Sequence, residues 1–204
     1  MFDVHLIHII GNGVKYYKSD RRVFDGLFPH LGEASKARMF AELNRKLVSF
    51  DTAYQNRKIG GLPLIIVENA EQSLNAQGFS DSAGIAVDTF GRLVPLSHII
   101  TVQTATITIY ADSPEMVRCL QTVIQAAMML FRAALLKAQY ENLMYEGSSN
   151  IGVETMLQDE GTSAYYRSMR YSAVHQLVLP TNIEDIAAVG AAPDSYTIEI
   201  ISPA

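Results

Sequence analysis

The sequence predicts an α+β fold, with a mixed or mainly antiparallel sheet packed against two helices, one of them long and apolar, plus an N-terminal arm and an inserted hairpin and loop region. Three observations predict it. Met39, Phe40, Leu43, Leu47, Phe50 and Tyr54 recur at three- and four-residue steps among charged neighbours. Ile107 and Ile109 alternate with Thr106, Thr108 and Tyr110, as on a sheet with one face toward a core. Ser113-Pro114 supplies an N-cap hydroxyl and a first-turn proline at the head of an apolar run. The expected division is an arm and loop over residues 1–30 and a single α+β domain over 31–204.

In chain order, residues 2–10 mix hydrophobes with His5 and His8 and stop at Gly11-Asn12-Gly13, a turn signal, so they read as a short strand or extended arm. A first helical turn is the alternative. Lys15 to Arg22 is polar and basic, and Gly26 and Pro29 make the stretch to Pro29 a long loop. An amphipathic helix follows from about Ala34 to Arg57, stopped by Gly60-Gly61 and Pro63. Leu62 to Glu68 has strand length and composition, and Asn69 to Ala83 is a polar loop. Ile85–Thr89 and Leu93–Leu96 flank Phe90-Gly91-Arg92 as a hairpin, and His98 to Ala111 is the longest strand.

The helix from Pro114 reaches about Tyr145 and is apolar nearly all round, with no charge between Arg118 and Arg132, so it must be covered on several sides. Gly147–Gly152 and Gln158–Ser163 are loops, with a helical turn placed over Val153–Leu157. Ala164 to Leu179 is a second long strand, Asn182–Val189 a short helix, and Ser195–Ile201 a closing strand.

The 204 residues are 49% hydrophobic and 18% charged with net charge -5, which excludes a disordered chain and a polybasic nucleic-acid binder. One cysteine, Cys119, rules out a disulfide-built module and sits in an apolar stretch as a buried hydrophobe. The start has Asp3 where a signal peptide wants a base, and the longest charge-free apolar run, Cys119–Phe131, is shorter than the roughly 18 residues a span needs. The expectation is a protein made in the cytoplasm, with no membrane partner.

No catalytic constellation emerges. His5 and His8 lack nearby acidic or cysteine ligands, so no metal site is assigned. Gly11-Asn12-Gly13 lacks the third glycine and following helix of a dinucleotide loop, so no cofactor site is assigned. Ser80, Asp81 and Ser82 lack a nucleophile elbow. Glu154, Asp159, Glu160, Glu184 and Asp185 read as solvated loop acids without calcium-loop spacing. The lack of tryptophan and of aromatic and basic alternation argues against single-stranded nucleic-acid binding.

Charge is uneven: residues 1–60 hold ten basic and six acidic side chains, net +4, and residues 61–204 hold six and fifteen, net -9. In a head-to-tail ring such a split gives neighbours complementary surfaces, with Lys15, Lys18, Arg21 and Arg22 as the basic loop.

The strand, the Ala111-Asp112-Ser113-Pro114-Glu115 junction, the long helix, the Gly-Ser loop, and the returning Tyr165-Tyr166-Arg167 strand with Val174-His175 resemble tail-terminator and neck (head-tail connector) proteins of tailed bacteriophages. The resemblance covers roughly residues 98–180. Residues 58–97 and the N-terminal segment are additions to the smallest members. It implies a small α+β fold, a six-membered ring capping the tail tube at the neck, and no enzymatic activity. The expected function is therefore a virion structural protein whose partners are further copies of itself and neighbouring tail-tube, sheath or connector proteins. A small cytosolic enzyme, hydrolytic or nucleotide-dependent, and a homo-oligomeric ligand-binding module are the alternatives.

Overall fold

The computed structural model describes residues 2–52, 61–87, 93–157 and 162–180. Three helices come first: α1 (Phe2–Ser19), α2 (Arg21–Gly26) and α3 (Glu33–Arg45). Strands β1 (Ser49–Thr52), β2 (Leu64–Val87) and β3 (Leu93–Ala111) precede α4 (Pro114–Leu130) and α5 (Arg132–Lys137). Strands β4 (Tyr140–Ser148), β5 (Gly152–Leu157) and β6 (Thr162–Pro180) complete the six-stranded sheet. Its order is β1-β2-β3-β6-β4, with β5 beside β4 along the same edge of β6. Only β1 and β2 run parallel among the described pairings, so the sheet is mixed and packs against the helices as the α+β reading expects.

The centre of the sheet follows from alternation. Ala105, Ile107, Ile109 and Ala111 of β3 are fully buried, opposite Met169 and Tyr171 of β6. Residues between them show the other face, where Thr108 Oγ1 and Ser168 Oγ lie 3.0 Å apart and Leu64, Ile66, Tyr110 and Ala164 form a small second cluster. At the end of β3 the Ser113 hydroxyl accepts from the Met116 amide at 3.2 Å, and α4 starts as the Ser-Pro pair dictates. Met116, Val117, Leu120, Val123, Ile124 and Ala127 are then buried, covered by the sheet and a second helix.

That second helix is chiefly α1, and here the sequence expectation is corrected. Residues 2–10 are no arm, and Gly11-Asn12-Gly13 is no turn: all lie inside α1, where Phe2, Leu6, Ile9, Ile10, Val14 and Tyr17 are buried in the same core as α4. Gly13 is the reason the two helices meet, since a Cβ there would lie 2.2 Å from the Ala127 Cβ. The basic stretch expected as a loop is helical too, through the end of α1 and α2, with Asp20 capping α2 by accepting from the Arg22 amide at 2.8 Å.

Other boundaries shift for tertiary reasons. α3 ends at Arg45, not Arg57: Leu47, which a longer helix would bury, is 85% exposed, while Val48 is buried and leads into β1. The segment expected as a polar loop from Asn69 to Ala83 belongs to β2, paired with β3 and bulged after Ala70, Leu74 and Ser80. The hairpin itself is present, with Val87 opposite Leu93, though Phe90-Gly91-Arg92 lies outside the described residues.

The helix expected to reach Tyr145 breaks at Phe131 (φ -100°, ψ 17°) and ends after α5, where Gln139 takes a left-handed φ of 61°. Tyr140 is thereby drawn into the core, 4.9 Å from the Phe2 ring and stacked 4.6 Å from His175. Val153–Leu157, expected as a helical turn, is in β5. The short helix at 182–189 and the strand at 195–201 fall outside the described residues.

Candidate assembly surfaces

Among the described residues no three His, Cys, Asp or Glu converge as a metal site. His5 is half-buried with its ring 5.6 Å edge-on to Tyr140, whereas His8 is exposed on α1. Ser80, Asp81 and Ser82 lie on β2, Glu154 is exposed on β5, and Asp159, Glu160, Glu184 and Asp185 lie outside the described residues. Cys119 is fully buried, and burial pushes its thiol up to about 12, with Glu42 adding to the shift. Among the described residues these groups are dispersed over several elements.

What the fold does present is two sheet edges of different character. At one edge β1 lies beside α1, and just before it in the chain Lys18 Nζ donates to the Lys46 carbonyl at 2.9 Å while Lys46 pairs with Asp112. Leu47 protrudes beside them. Lys15, Arg21, Arg22 and Arg45 are exposed on α1, α2 and α3, and Arg21 is engaged by Asp25 at 3.3 Å and by Glu33 at the start of α3 at 3.8 Å. The basic side chains singled out from the sequence therefore sit on α1 and α2 rather than in a loop.

At the opposite edge β4 carries two bulges and a left-handed Asn142 (φ 50°), which spoil a regular ladder for an incoming strand. Side chains must then do most of any docking here. Met129 is 81% exposed and Met144 60% exposed, with Leu130, Leu136 and Tyr145 also exposed across the end of α4, α5 and β4. Tyr145 faces α4 with Met129, whereas Met144, the next residue along β4, points to the other face of the sheet, so apolar side chains are exposed on both sides of this edge.

The neighbouring Gly-Ser segment is fixed to β6. Arg167 donates to Gln121 Oε1 at 2.8 Å and to Ser148 Oγ at 2.9 Å, tying α4, β4 and β6 together. Ser149 adds a reciprocal pair with Ser168: its amide donates to the Ser168 carbonyl at 2.9 Å and its hydroxyl accepts from the Ser168 amide at 3.1 Å. Sequence reasoning missed the β4 surface because it placed Met129, Leu136 and Tyr145 on one continuous helix. The available signal was the polar Tyr140-Glu141-Asn142 stretch, whose glutamate and asparagine are unlike the apolar run before it.

No helix among the described residues is long and apolar enough to cross a membrane. No protein-family model and no curated protein matches the sequence. Among solved structures, the chain is similar to one in the virion of the native gene transfer agent (GTA) particle, with 9% identity, a TM-score of 0.27, and coverage of 74% of this chain and 90% of that one. A likeness of that size assigns no role.

Proposed function

We propose that this chain is a non-enzymatic structural subunit of a phage-type virion. In this reading it forms a ring of about six copies at the neck or tail end, as the resemblance over residues 98–180 implies. Its partners are copies of itself and the adjoining tail-tube, sheath or connector proteins, and it passes from the host cytoplasm into the virion.

The observation that carries this reading is the set of large apolar side chains exposed around the β4 edge, Met129, Leu130, Leu136 and Tyr145 on the helix-covered side and Met144 on the other face of the sheet, at the opposite edge from the one where Leu47 protrudes. Two unlike surfaces at opposite ends of one sheet suit heterologous contact, in which the β4 edge of one copy meets the β1 edge of the next. Such contacts close into rings when the rotation between copies is a simple fraction of a turn. The exposed Lys15, Arg22 and Arg45 on the helical side add a salt-sensitive component to encounter.

Electron micrographs of the purified full chain test the proposal. Closed rings of uniform diameter are expected. Particles no larger than a single subunit at every concentration, or filaments without closure, would overturn it.

A further inference from the structure

Beside the apolar surface lies a cavity of about 360 Å³, bounded by the end of α4, the first residue of α5, β4 and β6. Its size is that of sites that enclose small molecules. Met128, Met129, Leu143 and Tyr145 supply most of the wall, and Arg132 stands at the α4–α5 break. On β6, Tyr171 faces the cavity directly opposite Tyr145 in the strand register, with the two rings 5.3 Å apart.

Tyr171 carries the argument. It is 3% exposed, and its hydroxyl finds no hydrogen-bond partner among the described residues. Buried hydroxyls are nearly always bonded, because an unmatched one keeps the cost of leaving water with nothing to offset it. Burial, with Tyr145 beside it, pushes the Tyr171 hydroxyl well above its ordinary pKa, so it is a neutral donor. Arg132 likewise has no ion-pair partner among the described residues. A half-open cavity with mostly apolar walls, one buried neutral donor unmatched among the described residues and an exposed arginine at its rim is complementary to an apolar body that ends in an acceptor of negative charge.

We propose that this cavity binds a small carboxylate with an aliphatic or aromatic body. The body packs against Met128, Leu143 and Tyr145, and the carboxylate accepts from the Tyr171 hydroxyl and the Arg132 guanidinium. The carboxylate offers both donors a full negative charge, which strengthens each bond, whereas a neutral alcohol of the same length offers lone pairs alone. The assignment does not depend on ring formation, although the cavity mouth adjoins the surface given to subunit contact.

The test uses the full-length protein with 8-anilinonaphthalene-1-sulfonate as a fluorescent probe, displaced by decanoate or decanol, while mass photometry records the oligomer in the same samples. One saturable probe site per chain is expected, with decanoate displacing it at about tenfold lower concentration than decanol, the effect of one charge-assisted contact. Arg132→Gln, at an exposed residue, should abolish that preference. Tyr171→Phe should weaken decanoate severalfold while leaving the melting temperature unchanged or raised, a combination that a purely structural tyrosine does not produce. Equal displacement by decanoate and decanol, or variants that bind as the parent does, would overturn the site. So would a loss of oligomer mass in both variants with decanoate binding intact, which would give the cavity to subunit contact instead. A chain that binds decanoate yet remains a single subunit contradicts the ring and leaves the site standing.

Discussion

Gly13 of α1 and Ala127 of α4 meet so closely that a Cβ added to Gly13 would lie 2.2 Å from the Ala127 Cβ and 3.3 Å from its Cα. The crossing exists because one helix offers a hydrogen and the other only a methyl.

Gly13→Ala should therefore destabilise the protein by about 1 to 3 kcal/mol, the usual cost of overpacking. Intrinsic propensity points the other way, since alanine improves a helix interior by about 1 kcal/mol over glycine. Gly11→Ala is the control: it lies in the same helix, with its nearest neighbour, Phe50 Cζ, at 4.0 Å, and should stabilise. Urea unfolding of both variants decides the matter, and a stabilised Gly13→Ala would show that the helices do not touch there.

The burial of Phe2, Leu6 and Ile10 makes α1 part of the core rather than an appendage. Deleting residues 2–13 should unfold the chain, seen as loss of cooperative thermal melting. Leu6→Ala alone should cost about 2 to 5 kcal/mol. A truncated protein that melts like the parent would restore the N-terminal arm.

His175 is held below its ordinary pKa by burial and by His5 across Tyr140. The folded chain then binds the proton less readily than the unfolded chain. The contribution to stability is full above about 6.5 and is lost as pH falls from there through the lower folded value. Melting temperature should fall between pH 7 and pH 5, and His175→Gln should flatten that slope. A slope identical in the two proteins would place the pH dependence elsewhere.

The buried Cys119 thiol, pushed up to about 12, should be inert to thiol reagents at pH 8 in the native protein and react at once in guanidinium chloride. Rapid native labelling would mean that α4 is not covered as described.

Legibility in the sequence tracked how local each cause is. The start of α4 was legible because Ser113 and Pro114 act on the next turn alone, and the centre of β3 was legible because Ile107 and Ile109 alternate with threonines. α1 was not, because glycine pairs normally mark turns, and only the facing Ala127 makes Gly13 useful inside a helix. The break at Phe131 has no glycine or proline to announce it. Beyond it Tyr140 packs between Phe2 and His175, a long-range contact that the local sequence does not announce. The length of β2 was hidden for a similar reason: its polar stretch is held by pairing with β3 across several bulges, which composition does not reveal. For the candidate surfaces, the basic residues were visible but their helical setting was not, and the exposed face at β4 became apparent only once the expected single helix divided.

Ring formation is measured by mass photometry of the parent and of the double variant Met129→Asp and Met144→Asp across a concentration series. Both residues are largely exposed, so the variant should keep the parent's circular dichroism and melting temperature. A discrete closed oligomer is expected for the parent and single subunits for the variant. A parent that is a single subunit throughout, or a variant that assembles just as the parent does, would contradict that expectation.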